Sequence, residues 1–226
     1  DDYYTHRRSG INWMRKNRRE IDPKGHATEL FSQWAIDYFH ERKEKTKPFF
    51  LYLPYNAPHF PIQPPEDWLE RTKKRSPELS EGRAKNVAFI EHMDHSIGRV
   101  LDALEETGLR ENTLVVFSSD NGGSLPHFQS NGNLRGGKQN HWEGGIRVPT
   151  CVRWPGKVRQ EQVNTVGITM DFYATLCEVA GVEVKHEIEG RSLLPYLLNG
   201  DTSNIEGRDL YWVRREGGAM GYQGRA

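Results

Sequence analysis

An aspartate, an asparagine and a lysine, each beside paired glycines, are the side chains of this sequence best suited to chemistry. Asp120 and Asn121 lie in S-S-D-N-G-G at 118–123, and Lys138 closes R-G-G-K at 135–138. A carboxylate and an amide oxygen are the hard donors that calcium or magnesium accepts. Lys138 adds a compact cation suited to an oxyanion such as sulfate or phosphate, and Gly136 and Gly137 permit close backbone approach. Taken alone, Asp-Asn-Gly-Gly also reads as a turn, because these residues tolerate positive φ. The preceding run, T-L-V-V-F-S-S-D at 113–120, has the make-up of a buried strand opening into a loop. In open α/β sheets ligands collect beyond the carboxyl ends of such strands. His59 stands in a comparable place. It lies in N-A-P-H-F-P after the apolar run P-F-F-L-Y-L-P at 48–54, where Pro58 and Pro61 stiffen the loop and fix its direction.

The elements that must position these residues follow from periodicity. From His26 to Glu44, Leu30, Phe31, Trp34, Ala35, Tyr38 and Phe39 recur at helical spacing. The continuous apolar run 48–54 predicts a strand covered on both sheet faces. Residues 62–82 are polar and hold Pro64, Pro65 and Pro77, which predicts a surface excursion with a short helix. Val87, Ile90, Met93, Ile97, Val100, Leu101 and Leu104 mark a second long helix ended by Gly108. A helix between two apolar strands is a β-α-β unit, whose right-handed crossover sets both strand ends on one edge and brings His59 and Asp120 toward each other. A further strand is expected at 146–154, and a helix from Met170 to Ala180. The fold class is therefore α/β, with layers around a mostly parallel sheet. The basic cluster at 15–19 reads as solvated surface.

The succession of P-F-F-L-Y-L-P-Y-N-A-P-H-F-P at 48–61, S-S-D-N-G-G, G-G-K-Q-N-H-W-E-G-G-I-R-V-P-T-C-V-R-W-P-G at 136–156, D-F-Y-A-T-L-C-E-V-A-G at 171–181 and G-R-S-L-L-P-Y-L at 190–197 resembles the type I sulfatases. These are the formylglycine-dependent, arylsulfatase-like hydrolases of the alkaline phosphatase superfamily. The resemblance covers their central and later part and implies a layered α/β/α, alkaline-phosphatase-like fold, incomplete at both ends. Residues 1–206 are then a portion of the catalytic domain, and 207–226 begin a truncated C-terminal subdomain. It implies that His59 and Lys138 are catalytic, contacting the sulfate and the leaving-group oxygen, and that Asp120 and Asn121 bind the metal, Ca2+ or Mg2+. The family's nucleophile arises from Cys-x-Pro-x-Arg or Ser-x-Pro-x-Arg. Cys151 begins C-V-R-W-P, Cys177 begins C-E-V-A-G, and no serine begins the motif, so formylglycine is expected in a missing N-terminal part.

Other residues keep two readings. His127 and His141 are candidate contacts to the organic part of the substrate, or exposed loop histidines. Trp142 is a sugar platform or a core residue. Arg135 is a salt-bridge partner or a substrate contact, and Glu143 orders the glycine loop; both stay outside the catalytic set. Asp94 and His95 read as structural. Two cysteines in separate contexts make no disulfide framework and are expected in the core.

Thirty-one basic residues balance 31 acidic ones, which removes the field that would drive nucleic-acid binding. No apolar run approaches the roughly 20 residues that span a bilayer. A periplasmic, secreted or lysosomal setting is what the resemblance implies. The expected function is metal-dependent hydrolysis of sulfate esters of sugars or aryl alcohols, with a sulfated small molecule or glycan as partner. The alternatives are a phosphomonoester or phosphonate hydrolase of the same superfamily, and a catalytically inactive anion- or glycan-binding remnant.

Overall fold

A computed structural model of the chain describes residues 2–213. They fall into two compact units: unit 1 takes Asp1–Arg110 with Ser124–Ser130, and unit 2 takes Glu111–Gly123 with Asn131–Ala226. Of the C-terminal subdomain expected at 207–226, residues 214–226 lie outside the described range.

Unit 1 opens with two short antiparallel hairpins, β1 (Arg7–Arg8) with β2 (Ile11–Asn12) and β3 (Arg15–Lys16) with β4 (Arg19–Glu20). Ser9 and Gly10 both take positive φ in the first turn, the backbone that suits a two-residue hairpin loop. The basic cluster thus lies on exposed ribbon, as its composition predicts. Three helices follow, α1 (Ala27–Arg42), α2 (Glu66–Arg75) and α3 (Glu81–Glu106), and α3 packs against both others. Ser80 caps α3 through its hydroxyl, and Gly108 ends the segment at φ +73°, a left-handed position that glycine adopts without penalty.

The buried stripes differ from the apolar ones read in the sequence. On α1 it is Ala27, Thr28, Ser32, Ala35 and Phe39 that face inward, while Trp34 is 39% exposed. On α3 Ala84, Ala88, His92, Ser96, Val100 and Leu104 are buried, and Ile90 is exposed. Small side chains at the crossing let helix backbones approach, and the alternative stripe loses that geometry. Tyr3, Ala27, Ala57 and Phe89 form the main cluster, joined by Phe31, Ile62 and Met93.

The segment 48–54, expected as a strand, forms none and pairs with no strand among the described residues. Phe49, Leu51 and Leu53 are half-buried, whereas Phe50 and Tyr52 are 72% and 76% exposed. The sequence predicts cover on both faces; one is covered, because Phe49 packs on Tyr38 and Phe39 of α1.

Unit 2 holds β5 (Val115–Ser118), α4 (Glu143–Ile146), β6 (Thr150–Arg153), α5 (Asp171–Val179) and α6 (Leu194–Asn199). β5 and β6 pair antiparallel, from Val115 opposite Arg153 to Ser118 opposite Thr150. The α/β class stands, while the parallel β-α-β ladder expected from 48–54 to 113–120 is not formed among the described residues. Cys151 is exposed on β6 and Cys177 half-buried, so neither is a core thiol as expected; β6 turns its first two side chains outward.

A buried imidazole caps α1. His26 Nδ1 accepts from the Thr28 N–H at 3.2 Å and Nε2 lies 3.0 Å from the Gln63 carbonyl, which fixes the neutral ring with its proton on Nε2. Burial, with His92 at 4.8 Å between ring centroids, pushes His26 down to about 4 from the usual 6.5. The unfolded chain then takes up the proton first, so stability is full above about pH 6.5 and falls toward pH 4, by up to about 3 kcal/mol. The Tm should drop over that window more steeply than in His26→Asn, which retains a capping acceptor without titrating. Parallel Tm profiles of the two proteins would contradict this role.

Candidate active site

Three pairs of glycines build the loops around Asp120 and Lys138. Beyond β5 the chain runs through Asp120 and Asn121 into Gly122, whose N–H donates to the Gly145 carbonyl at 2.9 Å. A Cβ on Gly122 would meet the Gly144 carbonyl oxygen at 1.8 Å; on Gly144 and Gly145 it would meet the carbonyl oxygens of Gly136 and Asn140 at 2.2 and 2.1 Å. Only glycine fits where backbone packs on backbone this closely. The Lys138 N–H donates to the Gly123 carbonyl at 2.9 Å, and Gly144 N–H donates to Arg135 at 2.8 Å. The three motifs found separately in the sequence are thus one interlocked backbone, and it brings Lys138 to the loop that carries Asp120 and Asn121.

Two amides tie this knot. Asn131 Oδ1 accepts from Gly123 N–H at 2.7 Å, and its Nδ2 donates to the carbonyls of Gly123 and Gly136 at 3.2 and 3.0 Å. Asn140 Oδ1 accepts from Gly137 N–H at 3.0 Å. Sequence reasoning missed both; Asn131 stands beside Gly132, a signal that loops commonly share, and Asn140, between Gln139 and His141, carries none.

Asp120 is exposed, and Asn121 and Lys138 are half-buried. Among the described residues no group of three or more His, Cys, Asp or Glu side chains is arranged to hold a metal ion. Asp120 and Asn121 nevertheless offer oxygens of the kind that calcium and magnesium take, two of the six to eight ligands that calcium uses. Their donor chemistry suits such an ion, of whose coordination they would supply part. His141, half-buried, precedes α4 in the same unit. Trp142 is 52% exposed rather than core, and the Arg135 guanidinium lies 3.6 Å from its ring centroid, so Arg135 is engaged by stacking. Glu143 pairs with Arg147 one turn on at 3.5 Å, an exposed contact of small weight.

His59 belongs to unit 1, on a turn locked from beneath. Its N–H donates to the Asn56 carbonyl at 2.9 Å, and the fully buried Tyr3 donates its hydroxyl toward the carbonyls of Asn56 and His59 at 2.5 and 3.1 Å. The flanking Ala57–Pro58 and Phe60–Pro61 peptides are both cis. The His59 ring is exposed, with Nδ1 2.7 Å from the Phe60 carbonyl. A carbonyl only accepts, so Nδ1 carries hydrogen and Nε2 is the atom left for chemistry. Neutral His59 accepts at Nε2; only the imidazolium donates there. His127 is brought to this loop, with its ring 4.9 Å from that of Phe60. Tyr3 was not singled out from sequence, because nothing local marks an aromatic that acts across more than 50 residues.

The family model described as Sulfatase matches residues 1–182. A sulfatase of Formosa agariphila is 35% identical over 208 residues, covering 85% of this chain and 37% of that protein. The N-acetylgalactosamine-6-sulfatase of Mus musculus is 32% identical over 194 residues, 83% of this chain and 35% of its own length. Among solved structures, that of Ps i-CgsB in complex with k-i-k-neocarrahexaose has a TM-score of 0.75 at 30% identity, covering 82% of this chain and 41% of the other. The chain therefore spans little more than a third of the length of these curated relatives.

Proposed function

The chain belongs to the sulfatase family, and from that premise we propose that it supplies residues for metal-dependent hydrolysis of sulfate esters of sugars or aryl alcohols. The observation that carries this reading is the bond from the Lys138 N–H to the carbonyl of Gly123, which ties the backbone of the lysine loop to the loop that carries Asp120 and Asn121. Lys138 stabilises the ester oxygen as it gains charge when the S–O bond breaks. His59, as the imidazolium, donates its Nε2 proton to the departing alcohol. Asp120 and Asn121 would hold a divalent ion, calcium or magnesium, whose charge would offset that of the sulfate. The formylglycine of the family supplies the attacking oxygen; this chain has no Cys-x-Pro-x-Arg or Ser-x-Pro-x-Arg segment to form it. The organic part of the substrate is a sulfated sugar or aryl group, consistent with the oligosaccharide bound by Ps i-CgsB, with His127 and His141 as candidate contacts. No helix of the described residues is long and apolar enough to cross a membrane.

Chelation tests the metal ligands. In an active protein containing this chain, EDTA should abolish turnover and added calcium or magnesium restore it, and Asp120→Ala should raise the half-restoring metal concentration at least about tenfold, the loss of one charged ligand. An unchanged metal requirement in Asp120→Ala removes this carboxylate from the site.

A further inference from the structure

Resting on the reading of His59 as the group at the leaving oxygen, we propose that Phe60 and His127 form a stacking shelf for the pyranose ring that carries the sulfate. Phe60 follows His59 directly and is 56% exposed. Its ring centroid lies 4.9 Å from that of His127, with planes inclined by 34°. Leu125 and Phe128, 50% and 55% exposed, flank them.

Exposed aromatic surface costs free energy in water, and a cluster of it held in order marks a binding site. Here the order is built from below. Ser124 Oγ lies 2.8 Å from His127 Nδ1. The fully buried Asn86 of α3 donates to the His127 carbonyl, and Arg83 of the same helix donates to that of Phe128 at 3.2 Å. The Phe128 ring covers Gly82, where a Cβ would come within 2.4 Å of it. Gln129 Nε2 donates to the Pro58 carbonyl at 3.0 Å, which joins this segment to the loop of His59. The shelf is therefore pre-set on the segment joined to the loop that carries His59.

The mixture of surfaces selects a sugar. A pyranose has a face of polarised C–H groups, attracted by the negative face of an aromatic ring, and a rim of hydroxyls that meets polar edges. His127 presents such an edge beside the Phe60 ring, and His59 precedes Phe60 on the same turn. A fully apolar partner would cover the Nε2 of each imidazole without giving it a hydrogen-bond partner, at a cost.

The test compares glucose 6-sulfate with an acyclic alkyl sulfate in active protein containing this chain. Phe60→Ala should raise KM for the sugar about five- to tenfold, the weight of one aromatic contact, with kcat and the acyclic substrate changed less than about twofold, and Phe60→Trp should restore the sugar's KM. Because Phe60 is exposed, Tm should hold. Equal effects on the two substrates, or none, overturn the shelf. Lys138→Ala should depress both substrates, so an unaffected rate there refutes the proposed function instead. If neither ester turns over, the ring-proton resonances of Phe60 and His127 decide the matter: shifts on titration with glucose 6-sulfate but not with the acyclic sulfate support the shelf, and their absence overturns it.

Discussion

Replacing Lys138 by alanine lowers kcat/KM for sulfate esters by about 10²–10³, the effect of removing one preorganised electrostatic donor. The size follows from where its charge acts. A cation that meets oxygen mainly as the S–O bond breaks lowers the barrier more than it strengthens ground-state binding, so the loss appears in kcat. The architecture makes this test clean. The backbone N–H of Lys138, not its ammonium, bonds to Gly123, so alanine keeps the glycine knot and Tm stays unchanged. Lys138→Arg should recover little, since a planar fork does not substitute for a compact ammonium at a crowded oxyanion. An unaltered kcat/KM in Lys138→Ala takes this residue out of the chemistry.

Asp171→Ala should destabilise unit 2 by about 3–5 kcal/mol, the cost of breaking a buried ion pair from one side. Asp171 is fully buried and Arg208 is 6% exposed. The guanidinium fork meets both carboxylate oxygens, at 2.8 and 2.5 Å, and the same carboxylate accepts the N–H groups of Ile168 and Arg191, each at 2.9 Å. Burial alone would raise this carboxyl; the Arg208 fork and the two backbone donors outweigh it and hold Asp171 below the usual carboxylate range. Alanine leaves Arg208 without its counter-charge and frees two N–H groups. Denaturant midpoints measure the loss. Asp171→Asn, which keeps an acceptor but not the charge, should recover only part of it, and a midpoint within about 1 kcal/mol of the parent for Asp171→Ala would refute the role.

Long helices were legible because apolar residues recur at helical spacing and Gly108 writes the end of α3 locally; the Ser80 cap before α3 emerged from the structure. Which stripe of α3 is buried was not. Ala84, Ala88 and Ser96 win over Val87, Ile90 and Ile97 through close approach to other helices, a tertiary fact that hydrophobicity alone does not carry. The apolar run 48–54 does not form the expected strand among the described residues, because composition cannot say whether a partner strand lies alongside or whether one face or two are covered. At the candidate site, D-N-G-G, G-G-K and E-G-G each signalled unusual backbone. That they are parts of one knot, tied by Asn131 and Asn140, emerges only when carbonyls and Cβ positions are set in space. Likewise D-F-Y-A-T-L announced a helix, not that its first residue would bury a charge against Arg208.

The reading of Asp120, Asn121, Lys138 and His59 as sulfate-ester machinery is tested most directly by matched leaving groups. 4-Nitrophenyl sulfate and 4-nitrophenyl phosphate differ at the transferred group alone. In active protein containing this chain, kcat/KM should favour the sulfate, and Lys138→Ala should remove that preference together with the activity. A preference for phosphate, or sulfate turnover indifferent to Lys138→Ala, would contradict the account.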